Sequence, residues 1–151
     1  MLYENEIEKY VSVMMGKSFI KNISHLENQA TLFVNFYSSF EEYKKENPNS
    51  LISLKDYHNY FSKSKIEKLL IQDTARLLMV LKDIQVVSIV LEISGTSYDV
   101  NISRKDFNSL TGIELEKLSP DDGSWQREFV SVYTAGVKNE KRRQLLDYFS
   151  V

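Results

Sequence analysis

The chain contains no cysteine, only two histidines, two prolines and five glycines. Without thiols it can form neither a disulfide, nor a thiolate nucleophile, nor a cysteine-based zinc or iron–sulfur site. The glycines are too far apart to assemble a glycine-rich phosphate loop. A nucleophile elbow and a zinc-protease helix are also missing. The sequence therefore predicts no cofactor, no metal ion and no recognisable catalytic residue.

Long apolar runs are missing as well. No stretch approaches the roughly 18 residues that a membrane helix needs. The opening residues MLYENEIEK are acidic and amphipathic, whereas an export signal would be basic and then apolar. We therefore expect a cytoplasmic protein that makes no contact with a membrane. The net charge of -2 does not favour nucleic acid, which would need a local basic patch.

The 151 residues suit a single domain spanning 1–151. Hydrophobic residues at 42% and charged residues at 26% are ordinary for a globular protein. Lys is more frequent than Arg, and Asn, Ser, Ile and Tyr are common. This usage is typical of an AT-rich bacterial or phage genome.

Residues 86–103 carry the clearest structural pattern in the chain. Apolar side chains alternate with small or polar ones on both sides of Ser94-Gly95. A period of two across a short turn predicts an antiparallel hairpin with one buried face. Parity fixes its register, because a two-residue turn pairs Ile89 with Val100 whereas a three-residue loop would set apolar positions opposite polar ones.

Two further segments, 18–24 and 30–37, have the composition of strands. The second, ATLFVNFY, carries Phe33 on one side and Leu32 and Val34 on the other. Because both sides are apolar, we expect this strand to be central or covered on both faces. The chain is therefore predicted to be an α+β domain, with a small antiparallel sheet of three to five strands packed against several helices. A free edge strand could pair with a second copy of the chain.

Helices are predicted from apolar spacing and from capping residues. A first helix covers about 3–15, and a last one covers 139–149. The run 65–82 is either one helix with a weak point at Gln72-Asp73 or two helices, and 113–118 is either strand or helix. The residues expected to cap the starts of the remaining helices are Ser39, Ser53, Ser64, Ser103 and Ser124.

Aromatic residues are unusually dense between positions 37 and 61, beyond what a small core readily absorbs. Exposed tyrosine beside lysine or arginine is typical of a protein-binding hot spot. We therefore predict binding roles for Tyr43, Tyr57, His58 and Tyr60. His58 lies among them and could act as an acid or base, although helical aromatics more often pack inward while the imidazole faces water.

A basic cluster near the C-terminus is the second candidate site. Lys138, Lys141 and Arg142 share one face of a helix and could contact phosphates or an acidic partner. Glu140 and Asp147 interrupt the cluster, and basic residues in a terminal helix are usually solvated.

Together these patterns favour a small protein-binding module of the immunity, inhibitor or adaptor type, without catalytic activity. An enzyme with a carboxylate/His site is the first alternative, and its hallmark would be a cleft with two or more acidic side chains beside His25 or His58. A nucleic-acid-binding accessory protein using the C-terminal helix is the second. The sequence alone names no partner and no substrate.

Overall fold

The computed structural model describes residues 2–151, with side chains from residue 4 onward. A four-stranded sheet and seven α-helices form an α+β fold, which confirms the predicted class. The strands are β1 (Ile20–Leu26), β2 (Thr31–Phe36), β3 (Val86–Ile93) and β4 (Thr96–Ser103). The helices are α1 (Leu2–Val11), α2 (Phe40–Glu46), α3 (Leu54–Tyr60), α4 (Lys63–Lys68), α5 (Thr74–Val80), α6 (Arg104–Thr111) and α7 (Glu140–Phe149).

The sheet has the order β1-β2-β3-β4 and is mixed, which corrects the prediction of an antiparallel sheet. β1 and β2 pair antiparallel, as do β3 and β4, but β2 and β3 run parallel. Parallel neighbours require a long crossover. Residues 37–85 provide it, and they carry the helices α2 to α5.

The hairpin forms in the predicted register, with Ile89 opposite Val100. Its two-residue turn places Ser94 at φ 50° and Gly95 at φ 79°. Two successive positive φ angles define the turn whose twist matches that of the flanking strands. Residues of the chain end then add to the outer edge of β4, where Ser150 pairs with Val100 and Val151 N–H donates to the Asp99 carbonyl at 2.8 Å.

Helix starts follow their capping residues. The side chains of Ser39, Ser53, Ser103 and Asn139 each accept a backbone N–H three residues onward. The predicted start at Ser64 is wrong, because Ser62 accepts the Lys65 N–H and α4 begins at Lys63. Glu67, three residues after Ser64, is buried against Arg142.

The helical run over 63–80 is continuous but changes its winding in the middle. A π-helical segment, Leu69–Asp73, joins α4 to α5 at the predicted weak point. A second π-helix covers Trp125–Thr134, one residue after the expected start at Ser124. The ambiguous segment 113–118 is neither strand nor α-helix, since it holds a short 3-10 turn at Leu115–Lys117.

The core lies between the helices and one face of the sheet. From the sheet it takes Leu32 and Val34 of β2, Ile89 of β3 and Val100 of β4. The run 66–81 contributes fully buried side chains, among them Leu70 and Leu77. α1 ends at Val11 rather than near 15, and Gly16 then turns the chain at φ 72°.

Candidate functional site

The aromatic residues predicted to bind a partner belong mainly to the core. Phe19 lies at their centre, with ring centroids 5.1 Å from Tyr43 and 5.0 Å from Tyr57. Tyr57 is only 2% exposed and Tyr43 is also buried, so neither ring is available to a partner. The prediction that a small core cannot absorb these rings is wrong, because α2 and α3 pack them edge-on around Phe19.

Tyr60 and His58 remain partly accessible. The Tyr60 hydroxyl accepts the Gly16 N–H at 2.8 Å, which gives that side chain a structural role at the end of α1. His58 is exposed, and its Nδ1 lies 2.7 Å from Oγ of Ser94 in the hairpin turn. Because Tyr43 and Tyr57 are buried whereas His58 and Tyr60 are accessible, the four side chains do not form one surface patch.

The cleft expected for a carboxylate/His site, with acidic side chains beside a histidine, is present only as shallow cavities. His58 shares a cavity of about 290 Å³ with Glu41 and Glu92. His25 lines another cavity beside Glu4 and Glu8. Among residues 4–151, no group of three His, Asp or Glu side chains is arranged to hold a metal ion. The enzyme alternative stays a prediction.

Arg142 lies inside the protein, which corrects its prediction as a binding residue. Its guanidinium donates to the Glu67 carboxylate at 3.0 Å and to the carbonyls of Thr134, Gly136 and Val137 at 2.6–2.9 Å. The side chain is fully buried. Charge spacing in the sequence cannot distinguish such an internal clamp from a solvated cation, because both occur on amphipathic helices.

The other two basic residues of that cluster are exposed. Lys141 lies over the Tyr133 ring, with Nζ 5.3 Å from the ring centroid. Lys138 borders a groove beside α4 and has no ion-pair partner among residues 4–151. Since Arg142 points inward, these cations do not form the continuous basic helix face predicted for nucleic-acid binding.

Asp73 is a buried carboxylate in the π-helical segment. Its Oδ2 accepts the Met15 N–H at 2.8 Å, and its Oδ1 pairs with Arg76. Burial raises the pKa of Asp73 above its ordinary value of 3.8, although Arg76 and the Met15 N–H oppose the shift. Asp73 therefore ties the end of α1 to the helical run instead of capping a new helix.

A further unassigned surface is the face of the sheet opposite the hydrophobic core. Pairing places Ser24, Phe33, Ser88 and Asn101 in one row across the four strands, and Asn22, Asn35, Val90 and Asp99 in the next. Asn35 donates to the Asn22 side chain at 2.8 Å, as expected for neighbours on one face. We call this surface the open face; its residues are Asn22, Ser24, Leu26, Thr31, Phe33, Asn35, Val86, Ser88, Val90, Glu92, Ser97, Asp99 and Asn101.

Four of the thirteen side chains of the open face are apolar, namely Leu26, Phe33, Val86 and Val90. Phe33 is half-buried at its centre and does not belong to the core. Val90 is 39% exposed and Leu26 is 40% exposed. The only charged residues on the face are Glu92 and Asp99, both acidic and both near the hairpin turn.

β2 was expected to be central or covered on both faces, and the structure confirms the first of these alternatives. β2 is central in the sheet, but only the side of Leu32 and Val34 packs against helices. Once the strands are paired, the neighbours of Phe33 on this face are serine and asparagine residues, among them Ser88, and these polar neighbours indicate that Phe33 lies outside the core. Without the strand order, however, Phe33 could not be distinguished from a core residue.

Comparison of the chain with models of known protein families, with curated proteins and with solved structures found no match. Within residues 2–151, no helix combines the length and the apolar character required to cross a membrane.

Proposed function

We propose that this chain is a cytoplasmic protein-binding module, of the adaptor, inhibitor or immunity type, that engages its partner through the open face. One observation carries the proposal: Phe33 lies, partly exposed, at the centre of a four-stranded sheet face whose apolar side chains are outside the hydrophobic core. An aromatic ring exposed to water there is energetically unfavourable, whereas the same ring forms favourable contacts when a partner protein covers it.

The composition of the open face supports a protein partner. The centres of protein interfaces are depleted in charged residues and enriched in aromatic ones. Here Phe33 is flanked across the strands by Ser24 and Ser88, whose small side chains leave the ring accessible for packing. Asn22 and Asn35 add amide groups that can bond to a neighbouring backbone.

Charge and size define the partner further. The acidic residues Glu92 and Asp99 are complementary to Lys or Arg residues of a partner at one side of its apolar patch. The open face carries no cation that could bind the phosphates of a nucleic acid. Four strands about 4.8 Å apart and about 20 Å long present roughly 300–400 Å². Specific, stable interfaces bury about 800 Å² per partner. We therefore infer a transient complex with a distinct basic-rimmed protein rather than a stable homodimer.

The experiment uses the absence of natural cysteine. A Phe33→Cys protein carrying a benzophenone on its single thiol is irradiated in extract of the source cells, beside a Leu51→Cys control. Leu51 is 98% exposed but lies outside the open face. We expect one adduct from position 33 that position 51 does not give, and the adduct identifies the partner for purification.

Binding of the purified partner is then measured with Phe33→Asp and with Leu51→Asp. We expect Phe33→Asp to weaken binding by about tenfold or more, and Leu51→Asp to leave it unchanged. Asp99→Lys, which changes only an exposed side chain, should slow association. Equal affinity of all three variants, or equal crosslinking from positions 33 and 51, would contradict the proposal.

A further inference from the structure

A second surface, separate from the open face, has the form of a small-molecule site. It is a groove of about 410 Å³ between the start of α4 and the start of α7. Cavities that bind small ligands typically measure about 300–1,000 Å³. We call it the basic groove; its walls are Ser62, Lys63, Ser64 and Glu67 on one side, and Val137, Lys138, Asn139, Glu140 and Arg143 on the other.

Hydrogen bonds from the protein interior fix the wall formed by residues 137–139. The buried Arg142 bonds to the carbonyls of Thr134, Gly136 and Val137, and it also binds Glu67 on α4. These bonds fix the loop and the helix relative to each other. A ligand therefore meets a cavity that is already formed, so little conformational entropy is lost on binding.

The charges of the basic groove do not cancel. Glu67 is neutralised by Arg142, and Glu140 pairs with Arg143 at 2.7 Å. Lys63 and Lys138 remain, and neither has an ion-pair partner among residues 4–151. The groove thus presents two uncompensated cations to whatever enters it.

We propose that the basic groove binds a small phosphate ester that carries an apolar or planar group. Two lysines can face one dianionic phosphate, and the hydroxyls of Ser62 and Ser64 can donate to its oxygens. Val137 is 75% exposed and supplies the apolar contact beside the charges. The site is independent of the open face and does not depend on the proposed protein partner.

The test is a titration of the whole protein with phenyl phosphate, in which binding is measured by amide NMR shifts and by calorimetry. Phenol and inorganic phosphate are titrated in parallel, since they carry the apolar group and the anion separately. We expect shifts confined to residues 62–64 and 137–143, with tighter binding of phenyl phosphate than of either fragment. Affinity should fall as salt rises, because the contact is ionic.

Two double variants with the same charge change separate the site from general attraction. Lys63→Gln with Lys138→Gln removes the groove cations, whereas Lys45→Gln with Lys105→Gln removes two exposed lysines elsewhere. We expect the first to weaken phenyl phosphate binding by about tenfold or more and the second by less than about twofold. Equal weakening in both variants, shifts scattered over the surface, or no saturable binding would overturn the proposal.

Discussion

Replacing Arg142 by Met tests whether this residue is an internal clamp rather than a surface ligand. Met is close to Arg in length but donates no hydrogen bond, so the substitution removes the ion pair with Glu67 and the bonds to three carbonyls. Breaking a buried ion pair by removing one partner typically costs about 3–5 kcal/mol, because the other charge stays buried and unpaired.

The expected loss lies near that range. The carbonyls of Gly136 and Val137 belong to exposed residues and can bond to water once the loop relaxes, so they add little. A domain of this size is stable by about 5–15 kcal/mol. We therefore expect Arg142→Met to remain largely folded but to lose about 3–5 kcal/mol in the free energy of unfolding.

Urea denaturation measures this loss, and two further proteins control it. Arg143→Met removes the neighbouring arginine, whose pair with Glu140 is exposed, and should not change stability measurably. Adding Glu67→Met to Arg142→Met removes the stranded charge and should recover about 1–3 kcal/mol. A loss below about 1 kcal/mol for Arg142→Met, or a double variant no more stable than Arg142→Met alone, would refute the clamp.

Two other positions give predictions from the same contacts. Asp73→Asn keeps an acceptor for the Met15 N–H and removes a carboxyl group whose pKa is raised above 3.8 by burial. Because the folded protein holds this proton to higher pH than the unfolded chain does, the unmodified protein should lose stability relative to the variant as pH rises from about 4. Parallel profiles of stability against pH for the two proteins would contradict this. Gly16→Ala puts a Cβ 3.3 Å from side-chain atoms of Leu69 and Phe61 at φ 72°, whereas Gly112→Ala at φ 70° meets nothing within 4 Å. Thermal or urea unfolding should show Gly16→Ala to be less stable than Gly112→Ala by about 1–3 kcal/mol, and equal losses would exclude crowding at Gly16.

The local structure was largely predictable because it depends on neighbours in the chain. Alternation fixed the pairing of Ile89 with Val100, and serine caps placed most helix starts. Gln72-Asp73 was recognised as a weak point, although its outcome is a π-helical segment rather than a break.

Apart from small shifts in helix ends, the features that were missed depend on contacts distant in sequence. The parallel pairing of β2 with β3 follows from how residues 37–85 cross the sheet, which no local pattern records. Arg142 is buried because Glu67, 75 positions away, meets it. Likewise, the exposure of Phe33 and the burial of Tyr57 depend on which face of the sheet the helices cover.

The accessibility of β2 tests the account most directly, since the proposed function requires one open side and one buried side. Phe33→Cys and Val34→Cys place a single thiol on each side of the same strand in a chain with no other cysteine. We expect the thiol at 33 to react with a soluble reagent at least about 100-fold faster than the thiol at 34 under native conditions, and at the same rate in denaturant. Equal protection of both thiols in the folded protein would show that Phe33 is covered, and would contradict the open face.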